Sequence, residues 1–250
     1  TIADMVEEAG AWMCTTWNKP PDVHVSDYTH WICHHTPDDV QMGYDIAVAM
    51  FESFDAPGEG KIVALQGLLG NTTAINRFAG LEKALEEYPG VELVANETGQ
   101  WMAPPALEVM ETLLAAHDDI DGVWCANDNM AMGAMQALEA KGLLGKVKVV
   151  GLNAIPDAVK AIQEGNMTAT VDCDGWGQGA YTLAIDYAAW LGELDVPSLP
   201  NEYRQFGTAS ILVTSDNVAE YVEQYVDNKP VMDYTNYWEF RAGDYPLDEE

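Results

Sequence analysis

The chain has 250 residues, of which 48% are hydrophobic, so it can bury a large core in one big domain or two of ordinary size. It carries 41 acidic residues against 11 basic ones, a formal net charge of −30. A charge of this sign repels phosphate backbones and anionic lipid headgroups, so we expect no nucleic-acid partner. The sequence contains no run of 18 or more apolar residues, and we therefore expect no membrane span.

The pattern predicts the back half of a helix over IADMVEEAG, followed by a strand over AWMCTTW. A second strand is predicted near HWICHH. Thr36 and Pro37 then have the pattern of a helix start, with threonine as the N-cap and proline at the first helical position. Two strands are too few for a sheet of their own, so we expect the lobe that contains them to be incomplete in this chain.

Between Lys61 and Val171 strands alternate with amphipathic helices, which predicts five parallel strands of a doubly wound sheet. The carboxyl ends of parallel strands share one edge, where ligands bind in such sheets. Asn127 and Asn153 each follow a strand, and their amides can both donate and accept hydrogen bonds. The pattern favours a site for a neutral, hydroxyl-rich molecule.

After this sheet the segment DCDGWGQG leads into the helix AYTLAIDYAAWLGEL. A strand near ASILVT and the helix SDNVAEYVEQYV follow. The last segment, Lys229 to Glu250, is acidic and aromatic, and we expect it to be irregular.

Two glycine-rich segments follow strands and precede helices, as phosphate-binding loops do. GLLGN lacks the lysine of a P-loop, and GWGQG has the spacing G-x-G-x-G instead of G-x-G-x-x-G. We therefore expect no nucleotide cofactor, and the sequence predicts no cofactor of another kind.

Three larger side chains are candidates for ligand contact. Arg77 is one turn into a helix, where it is either a solvated residue or a guanidinium turned into a cleft with several donors for ligand oxygens. Trp17 and Trp101 each follow a strand, where an indole could cover the apolar face of a sugar ring. Packing in the core is the alternative for both tryptophans.

The histidines do not form a catalytic pattern. His34 and His35 are neighbours on a predicted strand, so they face opposite ways and only one can look into a given site. We interpret them as packed or surface residues, and we predict no metal site and no catalytic residues.

The cysteines are scattered, with no C-x-x-C pair: Cys14, Cys33, Cys125 and Cys173. We expect buried free thiols, because cysteine is among the residue types most often found inside proteins. If the first two lie on neighbouring strands, a bridge between them is an open alternative.

Four segments follow one another along the chain: GKIVALQGLLGNTTAINRFAGLEKAL, VWCANDNMAMGAMQAL, KVVGLNAIPDAVKAI and GNMTATVDCD. Together they resemble the type I periplasmic sugar-binding family of ribose-binding-protein-like proteins, and the N-D-x-M-A-x-G-A block is the most specific part. The resemblance runs from about residue 5 to about Asn217. It implies an α/β fold of two Rossmann-like lobes joined by three crossings, with the family's opening βα units lacking from the first lobe.

The positions of the crossings imply the lobe boundaries. One lobe would comprise residues 1–37 and 174–207, and the other residues 38–173 and 208–250. The ligand would bind in the cleft between them.

The resemblance also implies a set of ligand-binding residues. Arg77, Trp101 and Asn127 match the arginine, aromatic residue and asparagine with which family members contact their ligand. Four further positions match ligand-contacting residues of ribose-type members but carry other side chains here: Trp17, Asn18, Asn153 and Cys173. These changes remove two carboxylates and a guanidinium, and with them strong charge-assisted bonds to hydroxyls. The resemblance thus implies a ligand other than ribose.

The function implied is that of a solute-binding protein of an ABC importer, which binds a sugar or polyol and docks on a permease without catalysis. We expect a monomer in the periplasm or outside the cell, where a lipid anchor could hold it at the surface. Two alternatives share the fold: the effector domain of a lactose-repressor-type regulator and the ligand-sensing domain of a membrane receptor. An enzyme on the same sheet is the last alternative.

Overall fold

The computed structural model describes residues 1–20, 22–228 and 231–244. The helices are α1 (Ile2–Ala9), α2 (Asp39–Glu52), α3 (Thr72–Glu87), α4 (Ala103–Ala116), α5 (Asp128–Ala140), α6 (Pro156–Gln163), α7 (Gly175–Leu191), α8 (Asn201–Arg204) and α9 (Val218–Tyr221). The strands are β1 (Met13–Thr16), β2 (Trp31–Pro37), β3 (Glu59–Gln66), β4 (Gly90–Thr98), β5 (Gly122–Cys125), β6 (Lys148–Val150), β7 (Ala169–Asp172), β8 (Gln205–Thr208), β9 (Ile211–Thr214) and β10 (Arg241–Gly243). Single turns of 3-10 helix occur at Val25–Asp27 and Val196–Ser198, and α9 continues into a π-helical turn at Val222–Asp227.

The chain divides into two compact units. Unit 1 contains Thr1–Asp38, Cys173–Ser210 and the tail from Val231, and unit 2 contains Asp39–Asp172 and the segment that begins at Ile211. The sequence placed the whole of 208–250 in the second lobe, and for the described part of the tail this is wrong.

The tail joins unit 1 because it has partners there. β10 pairs antiparallel with β8, and the ring of Phe240 stacks on Tyr181 with their centroids 5.0 Å apart. The prediction of an irregular tail is therefore wrong at residues 241–243, while the final residues, 245–250, lie outside the described ranges.

Unit 2 is built on a six-stranded sheet in the order β4-β3-β5-β6-β7-β9. The strands from β3 to β7 are parallel, as the alternation of strands and helices predicted, and β9 pairs antiparallel with β7. The carboxyl ends of the parallel strands therefore meet at one edge.

Helices α2 and α3 cross in backbone contact on this sheet. A Cβ atom added at Gly43 would lie 2.1 Å from the carbonyl oxygen of Arg77, and one added at Gly80 would lie 2.1 Å from that of Val40. Only glycine permits an approach this close. The crossing places the first turn of α2 beside the first turns of α3.

Unit 1 has a four-stranded sheet in the order β1-β2-β8-β10, in which β1, β2 and β8 are parallel. The sequence predicted β1 and β2 but missed β8 and β10, which are short and lack a clear hydrophobic alternation. One core cluster of unit 1 consists of six buried residues: Ile32, Cys33, Ile185, Ala189, Val196 and Phe206.

The expected helix start at Thr36 is wrong. Thr36 and Pro37 are the last residues of β2, where they pair with Gly207 and Thr208 of β8, and α2 begins at Asp39. The pairing with a strand far along the chain keeps these residues extended, and the local N-cap pattern does not reveal this.

A buried arginine holds the loop before β2 in place. Arg204 is buried, and its guanidinium donates hydrogen bonds to four backbone oxygens. The acceptors are the carbonyl groups of Val25, Tyr28, Trp31 and Ile32, at 2.8 to 3.0 Å. This side chain therefore joins the loop before β2 to the first two residues of that strand.

The outer side of α7 carries a stripe of exposed apolar side chains. Trp176, Leu183, Tyr187 and Trp190 are each more than half exposed, and they follow one another at helical spacing. Tyr187 and Trp190 stack on each other, with their ring centroids 5.7 Å apart. In the described ranges no helix is both long enough and apolar enough to cross a membrane.

Candidate ligand-binding site

Arg77 lies at the carboxyl edge of the unit 2 sheet and is buried. Its Nε donates to Oδ1 of Asp39 at 2.8 Å, and its Nη1 donates to the carbonyl oxygen of Ala126 at 2.7 Å. The two charged side chains are only 2% and 4% exposed. The interpretation of Arg77 as a solvated helix residue is therefore wrong. Its guanidinium is turned towards the carboxyl ends of the strands.

Trp101 lies against this guanidinium. The carbon at the centre of the Arg77 guanidinium is 5.6 Å from the centroid of the indole. The indole covers Gly67, where an added Cβ atom would fall 2.1 Å from the ring. Trp101 is half-buried, so it is not a core residue, and it ties the loop after β4 to the end of β3.

The loop that carries Trp101 has an unusual backbone. Gln100 and Trp101 have φ angles of 55° and 65°, in the left-handed region that non-glycine residues seldom adopt. Strain of this kind persists only where the surroundings hold it, and it concentrates at functional sites. One restraint comes from Asn127, which donates a hydrogen bond to the carbonyl oxygen of Trp101 at 3.1 Å.

Asn127 has a second bond to the backbone. It is the N-cap of α5, and its Oδ1 accepts from the N–H of Met130 at 2.9 Å. An asparagine amide has two donors and two acceptor positions, so these two bonds use half of its capacity. One donor and one acceptor position of this amide therefore remain for a ligand at this edge.

Asn153 follows β6 in a second strained turn of the same edge. Asn153 and Ala154 have φ angles of 111° and 47°. The N–H of Asp128 donates to the carbonyl oxygen of Leu152 at 2.8 Å, which joins the end of β6 to the start of α5. Trp101, Asn127 and Asn153 thus follow β4, β5 and β6, and the guanidinium of Arg77 reaches the end of β5.

Asp128 is a residue of this edge that the sequence analysis missed. Its carboxylate accepts hydrogen bonds from the Ile155 N–H at 3.0 Å and from the Thr170 hydroxyl at 2.8 Å. It is fully buried, and burial raises its pKa to about 6. Its hydrogen bonds hold the loop that carries Asn153 in place. The sequence shows only an acidic residue in the first turn of α5, which does not indicate this role.

The other three candidates belong to unit 1. Trp17 and Asn18 follow β1, and the half-buried Trp17 has a φ of 71°, while Asn18 is exposed. Cys173 is buried, and its carbonyl oxygen accepts a short hydrogen bond from the side chain of Gln178. Their roles in ligand binding remain predictions.

Gln178 is a second residue that the sequence analysis missed. It is buried, and in addition to Cys173 it bonds the hydroxyl of Thr16 at 3.0 Å and contacts that of Thr208 at 3.4 Å. It therefore joins the ends of β1 and β8 at the carboxyl edge of the unit 1 sheet. Gln178 lies in the segment GWGQG, where the glycines are the more conspicuous signal.

His34 and His35 pack in the interior, as predicted. Both are fully buried, and burial lowers the pKa of His34 to about 3 and that of His35 to about 4. His34 contacts the hydroxyl of Thr15, whereas His35 stacks on Phe206 on the other face of the strand. Both are neutral at physiological pH, which suits packing and not acid–base chemistry.

A cavity of about 180 Å³ in unit 2 is separate from the candidate ligand-binding site. Its lining includes Lys148 and Thr168, which stand at the amino ends of β6 and β7, opposite the edge of the candidate site. Among the residues that the structure describes, no three histidine, cysteine or acidic side chains are grouped to hold a metal ion.

A doubly wound parallel sheet with polar side chains and an indole at its carboxyl edge defines an α/β ligand-binding protein. A family model described as "Periplasmic binding protein domain" matches residues 29–194. The chain belongs to the periplasmic binding protein family, and its fold is of type I, as the sequence predicted.

Curated relatives carry the names of sugar- or polyol-binding proteins. The chain is 33% identical over 194 residues to the xylitol-binding protein of Mycolicibacterium smegmatis, covering 77% of this chain and 53% of that protein. It is 37% identical over 136 residues to the D-allose-binding periplasmic protein of Escherichia coli, covering 54% and 43%. The chain thus spans about half the length of the curated relatives it matches.

Solved structures share the fold over nearly the whole chain. A twin-arginine translocation pathway signal protein from Burkholderia phytofirmans has a TM-score of 0.92 and 33% identity, covering 97% of this chain and 75% of that one. An ABC transporter solute-binding protein from Bacillus halodurans with bound myo-inositol has a TM-score of 0.77 and 31% identity, covering 90% and 73%.

Proposed function

We propose that this protein is the solute-binding component of an ABC importer and that it binds a sugar or sugar-like polyol without catalysing a reaction. The relatives named for xylitol and D-allose support this class of ligand, and so does the related structure with bound myo-inositol. Its expected location is the periplasm or the cell exterior, and its expected macromolecular partner is a permease. The repressor-type alternative is not favoured, because these relatives are all named as binding proteins.

The observation that carries the proposal is the contact between Arg77, Trp101 and Asn127 at the carboxyl edge of unit 2. An indole suits the apolar face of a ring or polyol chain, while a guanidinium and an amide suit its hydroxyl groups. These are the groups that a neutral, hydroxyl-rich ligand requires.

The charges at this edge favour an uncharged ligand. Arg77 is paired with Asp39, so its positive charge is already compensated. The chain as a whole carries −30, which would repel an anionic solute. We therefore propose that the ligand is neutral, and that it is not ribose itself.

A calorimetric panel tests the proposal. The purified chain would be titrated with xylitol, D-allose, myo-inositol and D-ribose, with D-glucuronate as an anionic control, and thermal shifts would be recorded in parallel. We expect saturable binding of at least one neutral polyol or sugar other than D-ribose, with a higher thermal midpoint, and no binding of the anion. Binding of D-glucuronate in preference to every neutral compound, or conversion of a bound sugar into a product, would contradict it.

A further inference from the structure

A bulge in unit 1 brings two cysteines opposite each other. Met13 pairs with Trp31, but the next residue of β1, Cys14, pairs with Cys33, so Ile32 is an extra residue in β2. A regular register would have placed Cys14 opposite Ile32. The bulge therefore creates the cysteine pair, as bulges often re-aim side chains.

The two cysteines share one face of the sheet. Thr15 meets His34 on one side, and Thr16 reaches Gln178 of α7 on the other. Because side chains alternate along a strand, Cys14 points to the same side as Thr16, towards α7. It packs there against the core cluster that contains Cys33.

The separation suits a covalent bond. Neighbouring strands lie about 4.8 Å apart, and the Cα atoms of disulfide-linked cysteines are usually about 4.4 to 6.8 Å apart. Cys14 and Cys33 are direct partners in the register of β1 and β2. Both are free thiols here, with Cys33 buried and Cys14 half-buried at the edge strand.

An acid stands beside the pair. Asp186 of α7 lies close enough to Cys14 to raise the pKa of its thiol. The Oδ1 atom of Asp186 is buried without a hydrogen-bond partner in the described structure. Burial, Cys33 and Asp186 all raise the pKa of the Cys14 thiol, so this thiol is protonated at neutral pH. To react, it needs an adjacent proton acceptor.

We propose that Cys14 and Cys33 are a redox-active pair that closes to a disulfide, with the carboxylate of Asp186 as the proton acceptor for Cys14. The oxidant is a small disulfide such as glutathione disulfide. Closure would fasten the edge strand β1 to β2, and the periplasmic name of the family fits a compartment in which disulfides persist.

The reaction has two exchange steps. The Cys14 thiol gives its proton to Asp186, and the thiolate attacks one sulfur of glutathione disulfide, which releases one glutathione thiolate. The Cys33 thiolate then attacks the Cys14 sulfur of the mixed disulfide and releases the second glutathione. Two protein thiols are oxidised, one disulfide is reduced to two thiols, and the two protons pass through Asp186 and solvent to the glutathione thiolates.

The test treats the reduced full chain with glutathione disulfide under native conditions. We expect the loss of two of the four thiols, and an intact mass lower by two hydrogen atoms. Unreduced peptide mapping should then find the peptide of Cys14 linked to that of Cys33. The closed loop has roughly 20 residues, so the thermal midpoint should rise by about 5 °C or more and return on reduction.

Matched variants identify the reacting groups. C14A and C33A should each abolish closure, whereas a double variant of the other two cysteines, C125A/C173A, should close as the parent chain does. D186N should give the same product several times more slowly, with an unchanged thermal midpoint of the reduced protein. Circular dichroism checks that each variant is folded.

Several results would overturn the proposal. These are the retention of all four thiols, a persistent glutathione adduct on Cys14, or a bridge that involves Cys125 or Cys173. Closure of D186N at the parent rate would remove Asp186 from the reaction.

Discussion

The carboxylate of Asp39 and the guanidinium of Arg77 form a buried ion pair that joins the first turn of α2 to the second turn of α3, with 2.8 Å between Oδ1 and Nε. Arg77 also donates to the backbone at the end of β5 and lies against Trp101. One cation thus connects two helices, a strand end and the aromatic residue of the candidate site.

Removing this cation should destabilise the chain. R77A leaves Asp39 buried without its partner, and breaking a buried pair typically costs about 3–5 kcal/mol of unfolding free energy. Urea unfolding at neutral pH measures the effect. The control is K83A on the same helix, whose ammonium lies over the ring of Tyr44, and it should cost less than about 1 kcal/mol. Equal losses in the two variants would contradict a structural role for the ion pair.

The same substitution should weaken ligand binding, if the polyol-binding proposal is correct. Loss of a charge-assisted hydrogen bond costs at least about 1.5 kcal/mol, or roughly a tenfold weaker affinity. Calorimetry with the best ligand of the panel, at a temperature where R77A is folded, measures this. Unchanged affinity would remove Arg77 from the contacts to the ligand and leave it a structural residue.

Gly67 should be essential for the position of Trp101. In G67A the new methyl group would stand 2.1 Å from the present indole, so the ring must move. We expect a changed tryptophan emission spectrum and an affinity for the ligand at least about fivefold weaker, which corresponds to roughly 1 kcal/mol. G179A in α7 is the control, because nothing lies within 4 Å of its added Cβ atom. The interpretation of Trp101 as a ligand contact is wrong if G67A binds as tightly as G179A.

Asp128 should make stability depend on pH. Its folded pKa of about 6 lies above the value of about 3.9 for an unfolded aspartate, so the folded state binds the proton more tightly. Protonated Asp128 stabilises the folded state by roughly 3 kcal/mol below about pH 4. This stabilisation is lost as the pH rises through 6.

Asp128→Asn tests this dependence, because the amide does not ionise. Relative to the parent chain, D128N should gain roughly 2–3 kcal/mol of unfolding free energy between pH 4 and pH 7, measured by urea unfolding at both values. Asp157→Asn, an exposed first-turn acid of α6, is the control and should show no such gain. A gain in D128N no larger than in D157N would contradict the raised pKa.

Arg204 should be needed for the stability of unit 1. In R204M four carbonyl groups lose their shared donor, and we expect a loss of about 2–4 kcal/mol in the unfolding free energy. R241M is the matched control, because Arg241 is half-buried and its Nε bonds one carbonyl, that of Glu202. A smaller loss in R204M than in R241M would show that the loop before β2 does not depend on this side chain.

The sequence was sufficient for the features that depend on local periodicity. Five parallel strands, their helices, and the position of Asn127 and Asn153 after strand ends follow from runs of apolar residues and the two-residue and 3.6-residue repeats. The opposite orientation of His34 and His35 follows from the same geometry. The N-D-x-M-A-x-G-A block was specific enough to indicate the family.

Tertiary structure decided everything that depends on distant partners. Asp39 is 38 residues from Arg77 and meets it only because Gly43 and Gly80 let two helices touch. β8 and β10 are too short to show an alternation of apolar and polar residues. β10 is a strand because its backbone pairs with that of β8. The extra residue in β2 shifts the register between β1 and β2 by one residue. No sequence signal marks a bulge of this kind. The pairing of Cys14 with Cys33 therefore follows only from the folded sheet. Local preferences are read along the chain, whereas pairing and burial depend on which segments meet in space.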